Sequence, residues 1–222
     1  MSKRAAKARI KDARQAVYRE HILDAAEQIF AEHGYEEAKV VAMASAAGVS
    51  LATVYNSFAA KWDIYRAVHA RRTAALNAHL RERVSADASP LERLLSGTAA
   101  YIEFHMRHPN YLRMHLQEGY AWSMSAILHS PEQAAAFNEG LAMVVMAFEG
   151  AIRARLCIGD DPPELMARTM IAMHQVRLAD WVDRGMKESV EDVTAAVHRQ
   201  FIRAFCTDKG AASLEPKKAA RR

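Results

Sequence analysis

The chain has 222 residues, of which 51% are hydrophobic, and it carries a formal net charge of only +4 at pH 7. That length and apolar content allow one large domain or two small ones, each with a hydrophobic core. They exclude a chain that is too polar to fold. Glycine (9) and proline (6) are scarce, while alanine, leucine, glutamate and arginine are abundant, so the composition favours helices over tight hairpins.

Two features of the composition indicate the compartment. The two cysteines, Cys157 and Cys206, stand far apart and form no C-x-x-C pair, and no apolar segment follows the N-terminal positive charges as in a secretory signal. The longest apolar run, LAMVVMAF at residues 141–148, is much shorter than the roughly 18 residues that a membrane span needs. We expect a cytoplasmic protein with both thiols reduced and no membrane partner.

The charge is concentrated at the two ends of the chain. Residues 1–19 carry seven basic side chains against Asp12 alone, so we predict a flexible basic arm over residues 1–14. Such an arm suits a polyanion such as DNA, RNA or an anionic membrane. Residues 209–222, KGAASLEPKKAARR, are also basic and lack a hydrophobic face, which predicts a disordered, solubilising tail.

In the N-terminal quarter, apolar spacing predicts four helices. The first begins near Tyr18 and ends at Gly34, the second covers residues 40–47, and the third covers about residues 50–58. A fourth begins at Lys61 and continues toward Arg83.

In the rest of the chain, the sequence pattern predicts five or six further helices, most of them longer. Ser89, Pro90 and Glu92 form a capped start, Pro109 begins a short helix, and a second Ser-Pro-Glu start stands at Ser130. Two further helices cover residues 161–185 and 190–205. The fold class is therefore predicted to be all-α with nine to ten helices.

The stretch AAGVSLATVYNSF, residues 46–58, has the pattern of a helix-turn-helix. A helix that enters the DNA major groove must cross its supporting helix steeply, which requires a small residue such as Ala44 at the crossing. Gly48 accepts the positive φ of the turn, and Ser50 is a natural N-cap. Val54 and Phe58 then face inward, so Leu51, Ala52, Thr53, Tyr55 and Asn56 are left on the outside. The alternative is an ordinary corner between two helices in a helical protein.

The flanking residues make the motif more specific. Residues 19–68 resemble the N-terminal domain of the TetR family of transcriptional repressors. The residues that carry this resemblance are Ile22, Ala25–Ala26, Phe30, Gly34–Tyr35, Met43–Ala44, Ala47–Ser50, Thr53–Tyr55, Phe58 and Lys61. The C-terminal region matches only in its helical style and its size.

The resemblance implies a homodimer that reads a partly palindromic double-stranded DNA operator and releases it when a small effector binds the C-terminal domain. It places Thr53, Tyr55 and Asn56 on the DNA face and Lys61 against a phosphate. The full set of DNA-binding residues that we predict is Ser50, Leu51, Ala52, Thr53, Tyr55, Asn56 and Lys61.

Five positions depart from the family pattern. Ala38 and Lys39 replace a threonine pair before the second helix, so a side-chain cap is lost there. Ala52 replaces a glycine, and Asn56 with Ser57 replaces bulky residues before Phe58. Asparagine can form two hydrogen bonds with adenine, and these changes mean that the operator sequence of other family members does not carry over to this chain.

The domain boundaries follow from these assignments. We predict the basic arm at 1–14, a three-helix helix-turn-helix domain at 15–66, a larger helical effector-binding and dimerisation domain at 67–208, and the tail at 209–222. The larger domain is rich in Met, Trp, Tyr and His, which suits a mostly apolar ligand with one or two polar anchors. For each residue, core packing is the alternative. The predicted ligand-binding residues are Tyr101, Phe104, His105, Met114, Tyr120, Trp122, Met143, Met146, Met173 and His174.

The last two long helices are candidates for the dimer interface. The apolar residues of the helix at 163–184 spread around more than one face, so we expect one side to meet its own domain and another to meet a partner subunit. The final helix has a narrower stripe and could complete a four-helix interface. The predicted interface residues are Met166, Met170, Trp181, Val197 and Phe201.

Catalytic and metal-binding patterns are weak. His105 and His108 stand three residues apart, with Glu103 and His115 nearby, but no cysteine joins them, and we predict no metal site and no cofactor. The sequence has no G-x-S-x-G, phosphate-binding glycine loop or H-E-x-x-H, so we predict no enzyme activity. The rival hypotheses are a helical carrier or enzyme with a purely structural N-terminal corner, and an RNA or membrane-surface binder that uses the arm.

Overall fold

The computed structural model describes residues 3–118 and 131–214, and these residues form ten helices. The helices are α1 (Lys3–Glu37), α2 (Val40–Ala46), α3 (Leu51–Ser57), α4 (Lys61–Arg83), α5 (Pro90–Arg107), α6 (Pro109–Glu118), α7 (Pro131–Arg153), α8 (Pro163–Asp183), α9 (Val190–Phe205) and α10 (Asp208–Ser213). The only β-type pairing in the described residues is an isolated bridge between Cys157 and Cys206. The predicted all-α class and the helix count are confirmed.

The chain divides into two compact units. The first comprises residues up to Thr73 together with α6, and the second comprises Ala74–His108 and the described residues from α7 onward. The sequence predicts a boundary at residue 66 with α6 in the effector domain, whereas the structural unit extends to Thr73 and includes α6. The difference arises because α6 packs along α1, a pairing between segments about 80 residues apart that no local pattern reveals.

Both predicted tails are partly helical. Helix α1 begins at Lys3, so the basic segment continues the first helix backwards, and its independence from the fold stays a prediction. Helix α10 lies inside the stretch predicted to be disordered, and its Gly210 is buried. A Cβ at Gly210 would lie 2.0 Å from the carbonyl oxygen of Leu156, so this close approach requires glycine. Residues 215–222 of the predicted tail lie outside the described residues.

In the described part of the chain, no single helix is long and apolar enough to cross a membrane. Helices α2 and α3 pass that test of length and composition only when they are taken together as a bent pair.

The first unit is built on α1, which packs against α2, α3 and α6. Its apolar side contributes Ile22, Ala26 and Phe30, each fully buried. The regular helix breaks where the sequence predicted, because Gly34 has a φ of 72° and ψ of 172°. The core therefore forms between α1, the short helix pair and the beginning of α4.

A buried ion-pair cluster ties α1 to α4 in this unit. The carboxylate of Glu27, only 6% exposed, accepts hydrogen bonds from Arg72 Nε at 2.7 Å and from Arg71 at 3.2 Å. Arg71 also bonds Asp24 at 2.8 Å and Glu20 at 3.1 Å, but those carboxylates are more than half exposed. Because the Glu27 carboxylate is almost out of contact with water, its guanidinium partners are needed to stabilise its charge.

The second unit has a core of aliphatic and aromatic residues from α5, α7, α8 and α9. Phe148, Phe201 and Phe205 pack their rings at centroid distances of 5.3–6.0 Å. Helix α5 begins with the predicted capping box, in which Ser89 Oγ accepts from the Glu92 N–H and the Glu92 carboxylate accepts from the Ser89 N–H. This reciprocal pair fixes the start of α5 against the core.

The two cysteines, which have no neighbour of their kind in sequence, are adjacent in space. Cys157 follows α7 and Cys206 follows α9, and they face each other across the isolated bridge. Backbone bonds on both sides of the pair close the bridge, from Ile158 N to Phe205 O (2.8 Å) and from Thr207 N to Leu156 O (3.0 Å). A hydrogen bond from the Cys157 thiol lowers the pKa of Cys206 and raises the pKa of Cys157.

Removing the charge of Glu27 should destabilise the first unit strongly. Glu27→Gln leaves the mostly buried guanidinium of Arg72 without a carboxylate and Arg71 with only its exposed partners, and we expect a loss of about 3 kcal/mol in the free energy of unfolding. Glu20→Gln removes an exposed partner of the same Arg71 and should cost less than about 1 kcal/mol. Urea denaturation followed by circular dichroism measures both variants, and equal losses would contradict the role of Glu27.

Candidate nucleic-acid interface

Helices α2 and α3 form a steep corner. They meet at 105°, in the range that helix-turn-helix units use. Gly48 in the turn has a φ of 65°, and a Cβ there would meet nothing within 4 Å, so the backbone conformation rather than space requires glycine. Val49 donates its N–H to the Ala44 carbonyl at 3.0 Å and closes the turn. The predicted roles of Gly48 and of the buried Ala44 agree with this geometry.

The start and the inner face of α3 are also as the sequence indicates. Ser50 is the N-cap, and its hydroxyl accepts from the Thr53 N–H at 3.1 Å. Val54 is fully buried and Phe58 is 4% exposed. These contacts leave the opposite face of α3 turned outward.

The outward face of α3 carries most of the predicted DNA-binding residues. Leu51 is 41% exposed and Tyr55 is 51% exposed, and Ala52 and Asn56 are exposed beside them. Thr53 is half-buried, and its hydroxyl lies 2.8 Å from that of Ser50, so it is already hydrogen-bonded within the helix start. The structure therefore brings these residues together on one surface, which we call the α3 face.

Lys61 is placed differently from the other predicted DNA contacts. Its ammonium donates to the carbonyl oxygens of Tyr35 (2.7 Å), Glu36 (2.9 Å) and Ala38 (3.2 Å), and it lies 4.6 Å from the centroid of the Tyr35 ring. An ammonium group has three N–H donors, and three carbonyls accept here. Lys61 thus holds the end of α1 against the start of α4, and its predicted phosphate contact stays a prediction.

Arg19 is a supporting residue that sequence analysis missed. Its guanidinium donates to the Ser57 carbonyl at 3.1 Å, at the end of α3, and lies 4.1 Å from the centroid of the Phe58 ring. The sequence placed Arg19 among the N-terminal basic residues and offered no signal of this partner, which stands 38 positions away. As predicted, α2 has no side-chain cap at Lys39.

In the second unit, four of the predicted ligand-binding residues form a buried aromatic and imidazole cluster. The Tyr101 ring lies 4.2 Å from His105 and 5.2 Å from His174, and Phe104 contacts His105. His174 Nε2 lies 3.2 Å from the hydroxyl of Thr98. Burial, reinforced by His198, lowers the pKa of His174 to about 3. The cluster offers polar atoms inside an apolar surrounding, as an effector anchor requires.

The other predicted ligand residues do not join this cluster. Met146 is 60% exposed, which is incompatible with lining an interior pocket, and Met114 belongs to the core of the first unit. Met173 borders a surface groove, and Met143 is half-buried on α7. Tyr120 and Trp122 lie outside the described residues. Helical periodicity finds apolar residues but does not say which neighbour covers them.

The predicted dimer residues require a correction. Met166, Met170, Trp181, Val197 and Phe201 are all at most 5% exposed within their own unit. They have almost no surface left for a partner. The open apolar surface of α8 and α9 is instead a groove of about 760 Å³. Its lining residues are Thr169, Ala172, Met173, Val176, Arg177, Asp180, Gln200, Arg203 and Ala204.

His105 and His108, whose spacing resembles a metal motif, do not converge with Glu103 on a common centre. His105 Nδ1 bonds the carbonyl of Tyr101 at 2.9 Å and His108 Nδ1 bonds that of Phe104 at 2.8 Å, each four residues back on the same helix. Glu103 pairs instead with Arg83 and Arg107. The spacing therefore reflects helix packing.

Comparison with known proteins supports the N-terminal assignment. Residues 22–68 match the family described as "Bacterial regulatory proteins, tetR family". No curated protein sequence matches the chain at a significant level.

Solved structures share most of the fold at low identity. The ketosteroid transcriptional regulator KstR2 of Mycobacterium tuberculosis is 21% identical with a TM-score of 0.70, over 86% of this chain and 95% of that chain. The fatty acid degradation regulator FadR from Bacillus halodurans is 20% identical with a TM-score of 0.64, over 83% and 97%. FadR from Bacillus subtilis, in complex with stearoyl-CoA, is 19% identical with a TM-score of 0.63, over 80% and 94%. The resemblance to TetR-family regulators is confirmed.

The low pKa of His174 generates a pH prediction. The folded-state pKa of about 3 lies below the unfolded value of about 6.5, so the unfolded chain binds the proton first and stability falls as the pH drops from about 6.5 toward 3. At pH 5 the loss should be about 2 kcal/mol. His174→Gln should reduce the fall in melting temperature between pH 7 and pH 5.

The control for this prediction is His33→Gln, because the side chain of His33 is 55% exposed. It should leave the pH dependence of the melting temperature as in the parent protein. A parent-like pH dependence in His174→Gln would show that His174 is not the buried neutral group described above.

Proposed function

We propose that this chain is a homodimeric, sequence-specific DNA-binding transcriptional regulator that a small, mostly apolar effector releases from its operator. The observation that carries the proposal is the α3 face, a set of outward side chains on a capped helix that Gly48 holds at 105° to its support. A purely structural corner has no need of Tyr55 and Asn56 in solvent. The repressor role is the behaviour that the TetR resemblance implies.

On the α3 face, the residues differ in what they offer DNA. Asn56 carries a donor and an acceptor that match the edge of adenine, and the hydroxyl of Tyr55 suits a phosphate oxygen. Leu51 and Ala52 can contact a thymine methyl. Thr53 already bonds Ser50, so we propose that it contributes to base contacts mainly through its methyl group.

Specificity should depend on Asn56 in particular. Asn56→Ala should relax base preference at one or two operator positions and weaken operator binding roughly 10- to 100-fold, because a bidentate base contact is lost. Binding to random DNA should change little. Gel shifts on operator and random duplexes measure both, with the exposed amide Gln28→Ala as the control. A parallel loss on both duplexes would contradict base reading by Asn56.

The salt dependence of DNA binding distinguishes a phosphate contact by Lys61 from a purely structural role. If Lys61 meets a phosphate, Lys61→Ala lowers the salt slope by about one per half-site. We expect the structural role instead, since three carbonyls already accept from the ammonium. The variant should then melt earlier and bind DNA more weakly with an unchanged slope, and a slope lower by one would establish the phosphate contact.

We propose that two copies pair through the groove between α8 and α9. Leu165, Thr169, Ala172 and Val176 are spaced by four, three and four residues, so they share one face of α8. Leu165 is 46% exposed and Val176 is 57% exposed. Two such helix pairs can form a four-helix interface around a two-fold axis. A two-fold dimer is the arrangement that reads two operator half-sites about 34–36 Å apart, one turn of DNA.

A charge in the groove tests the dimer directly. Val176→Glu should give monomers that retain their helicity and lose tight operator binding, as measured by sedimentation velocity and circular dichroism. Val41→Glu is the matched control, because Val41 is 59% exposed and lies on α2 of the first unit. Phe201→Glu and Met170→Asp are unsuitable, since both residues lie in the core. A dimeric Val176→Glu variant would rule out this interface.

The effector is proposed to bind near Tyr101 and His174, with its apolar part among methionine and aromatic side chains. The similar regulators named for ketosteroids and for fatty acids, one of them in complex with stearoyl-CoA, support an effector of that kind. Helix α4 is continuous from Lys61 to Arg83, so a tilt of it could carry the response. Only a ligand that prefers the released state shifts the equilibrium, typically by about 1–3 kcal/mol.

A further inference from the structure

A buried group of metal-ligating side chains lies in the first unit, away from the α3 face. His69 on α4 and His115 and Glu118 on α6 place one ligand atom each within 4.8 Å of one another. His69 Nε2 lies 3.0 Å from Glu118 Oε1, and His115 Nδ1 lies 3.5 Å from Glu118 Oε2. The histidine side chains are each 5% exposed, and that of Glu118 is 18% exposed.

The spacing suits a tetrahedrally coordinated ion. With metal–ligand distances of about 2.0–2.2 Å, the ligand atoms of a tetrahedral site lie about 3.4 Å apart. The separations of 3.0 Å from His69 to Glu118 Oε1 and 3.5 Å from His115 to Glu118 Oε2 fall close to that value, and each histidine faces a different oxygen of the carboxylate. All three ligand atoms lie within 4.8 Å of one another, so they would move closer together around a bound ion.

The donor set selects the class of ion. Two imidazole nitrogens and one carboxylate oxygen suit zinc and similar first-row divalent ions, whereas magnesium and calcium favour sites built from oxygen ligands. No thiolate contributes, which disfavours copper(I). Three protein ligands leave a fourth position for water or another small ligand.

The surroundings hold the three ligands in place. The Tyr65 hydroxyl donates to Glu118 Oε1, which orients the carboxylate toward the histidines. The Tyr111 ring lies 4.2 Å from His115 and 5.6 Å from His69, so the imidazoles pack against an aromatic wall. Partners that orient a ligand in this way strengthen metal binding.

We propose that His69, His115 and Glu118 bind one divalent transition-metal ion of the zinc class, with water as the fourth ligand. The ion would join α4 to α6, which is otherwise held to α1 by contacts such as the Gln117 amide on the Ala31 carbonyl (3.0 Å). This site does not depend on DNA binding. It departs from the sequence-based expectation of no metal, because His69 and His115 stand 46 positions apart.

The test uses the untagged full-length chain, stripped with a chelator and titrated with zinc chloride. Calorimetry and elemental analysis should find one zinc ion per chain. His69→Ala and His115→Ala should each lower the affinity at least about 100-fold, and Tyr65→Phe should lower it roughly 10- to 100-fold. His79→Ala is the matched control, because His79 pairs with Glu103 at 3.3 Å in the second unit without a second histidine.

Glu118→Gln keeps the size of the side chain and removes its charge, so it serves if a histidine variant fails to fold. Its circular dichroism should match the parent, and its zinc affinity should fall at least about 100-fold. Cobalt(II) loaded into the parent should give the intense visible absorption of a four-coordinate site, which Glu118→Gln should lose. Absence of stoichiometric uptake by the parent, or parent-like uptake by both Glu118→Gln and His69→Ala, would overturn the proposal.

Discussion

The steep crossing of α2 and α3 is the constraint on which the first unit depends. Two short helices can meet at 105° only if the support is small at the crossing and the turn tolerates a positive φ. Ala44 and Gly48 meet those requirements, and Val54 and Phe58 then anchor α3 by its inner side. The outer side of α3 can carry polar and aromatic side chains because it makes no contact with the core of the unit.

Long-range polar contacts hold that corner in position. A seven-residue helix has too few internal hydrogen bonds to be stable alone, so its ends need partners from elsewhere. Arg19 supplies one at the end of α3, and Lys61 does the same at the end of α1. Glu27 with its two arginines fixes α1 to α4 behind them. Lys61, which the sequence assigned to the DNA surface, and Arg19, which stands among the N-terminal basic residues, therefore both support the scaffold.

The second unit shows where apolar patterns stop being informative. The apolar residues of α8 spread around more than one face, and this pattern predicted that other helices pack against two of its sides. The face chosen for the partner was wrong, because α5, α7 and α9 of the same unit already cover Met166, Met170 and Trp181. The exposed face with Val176 has the same periodicity and a similar composition. Apolar spacing reports that a residue is covered, but the identity of the covering element depends on the whole arrangement of helices.

The sequence alone determined most of the helices, the capping box at Ser89, the glycine turn and the α3 face, because each depends on residues within about four positions of one another. Tertiary structure alone decided the partners of Lys61 and Arg19, the union of α6 with the first unit, and the meeting of Cys157 with Cys206. It also assembled His69 with His115 and Glu118, while the nearer pair His105 and His108 bonded to their own helix. The reason is the same in each case. A helix fixes the direction of its side chains, but which distant side chain they meet is set by how the helices pack.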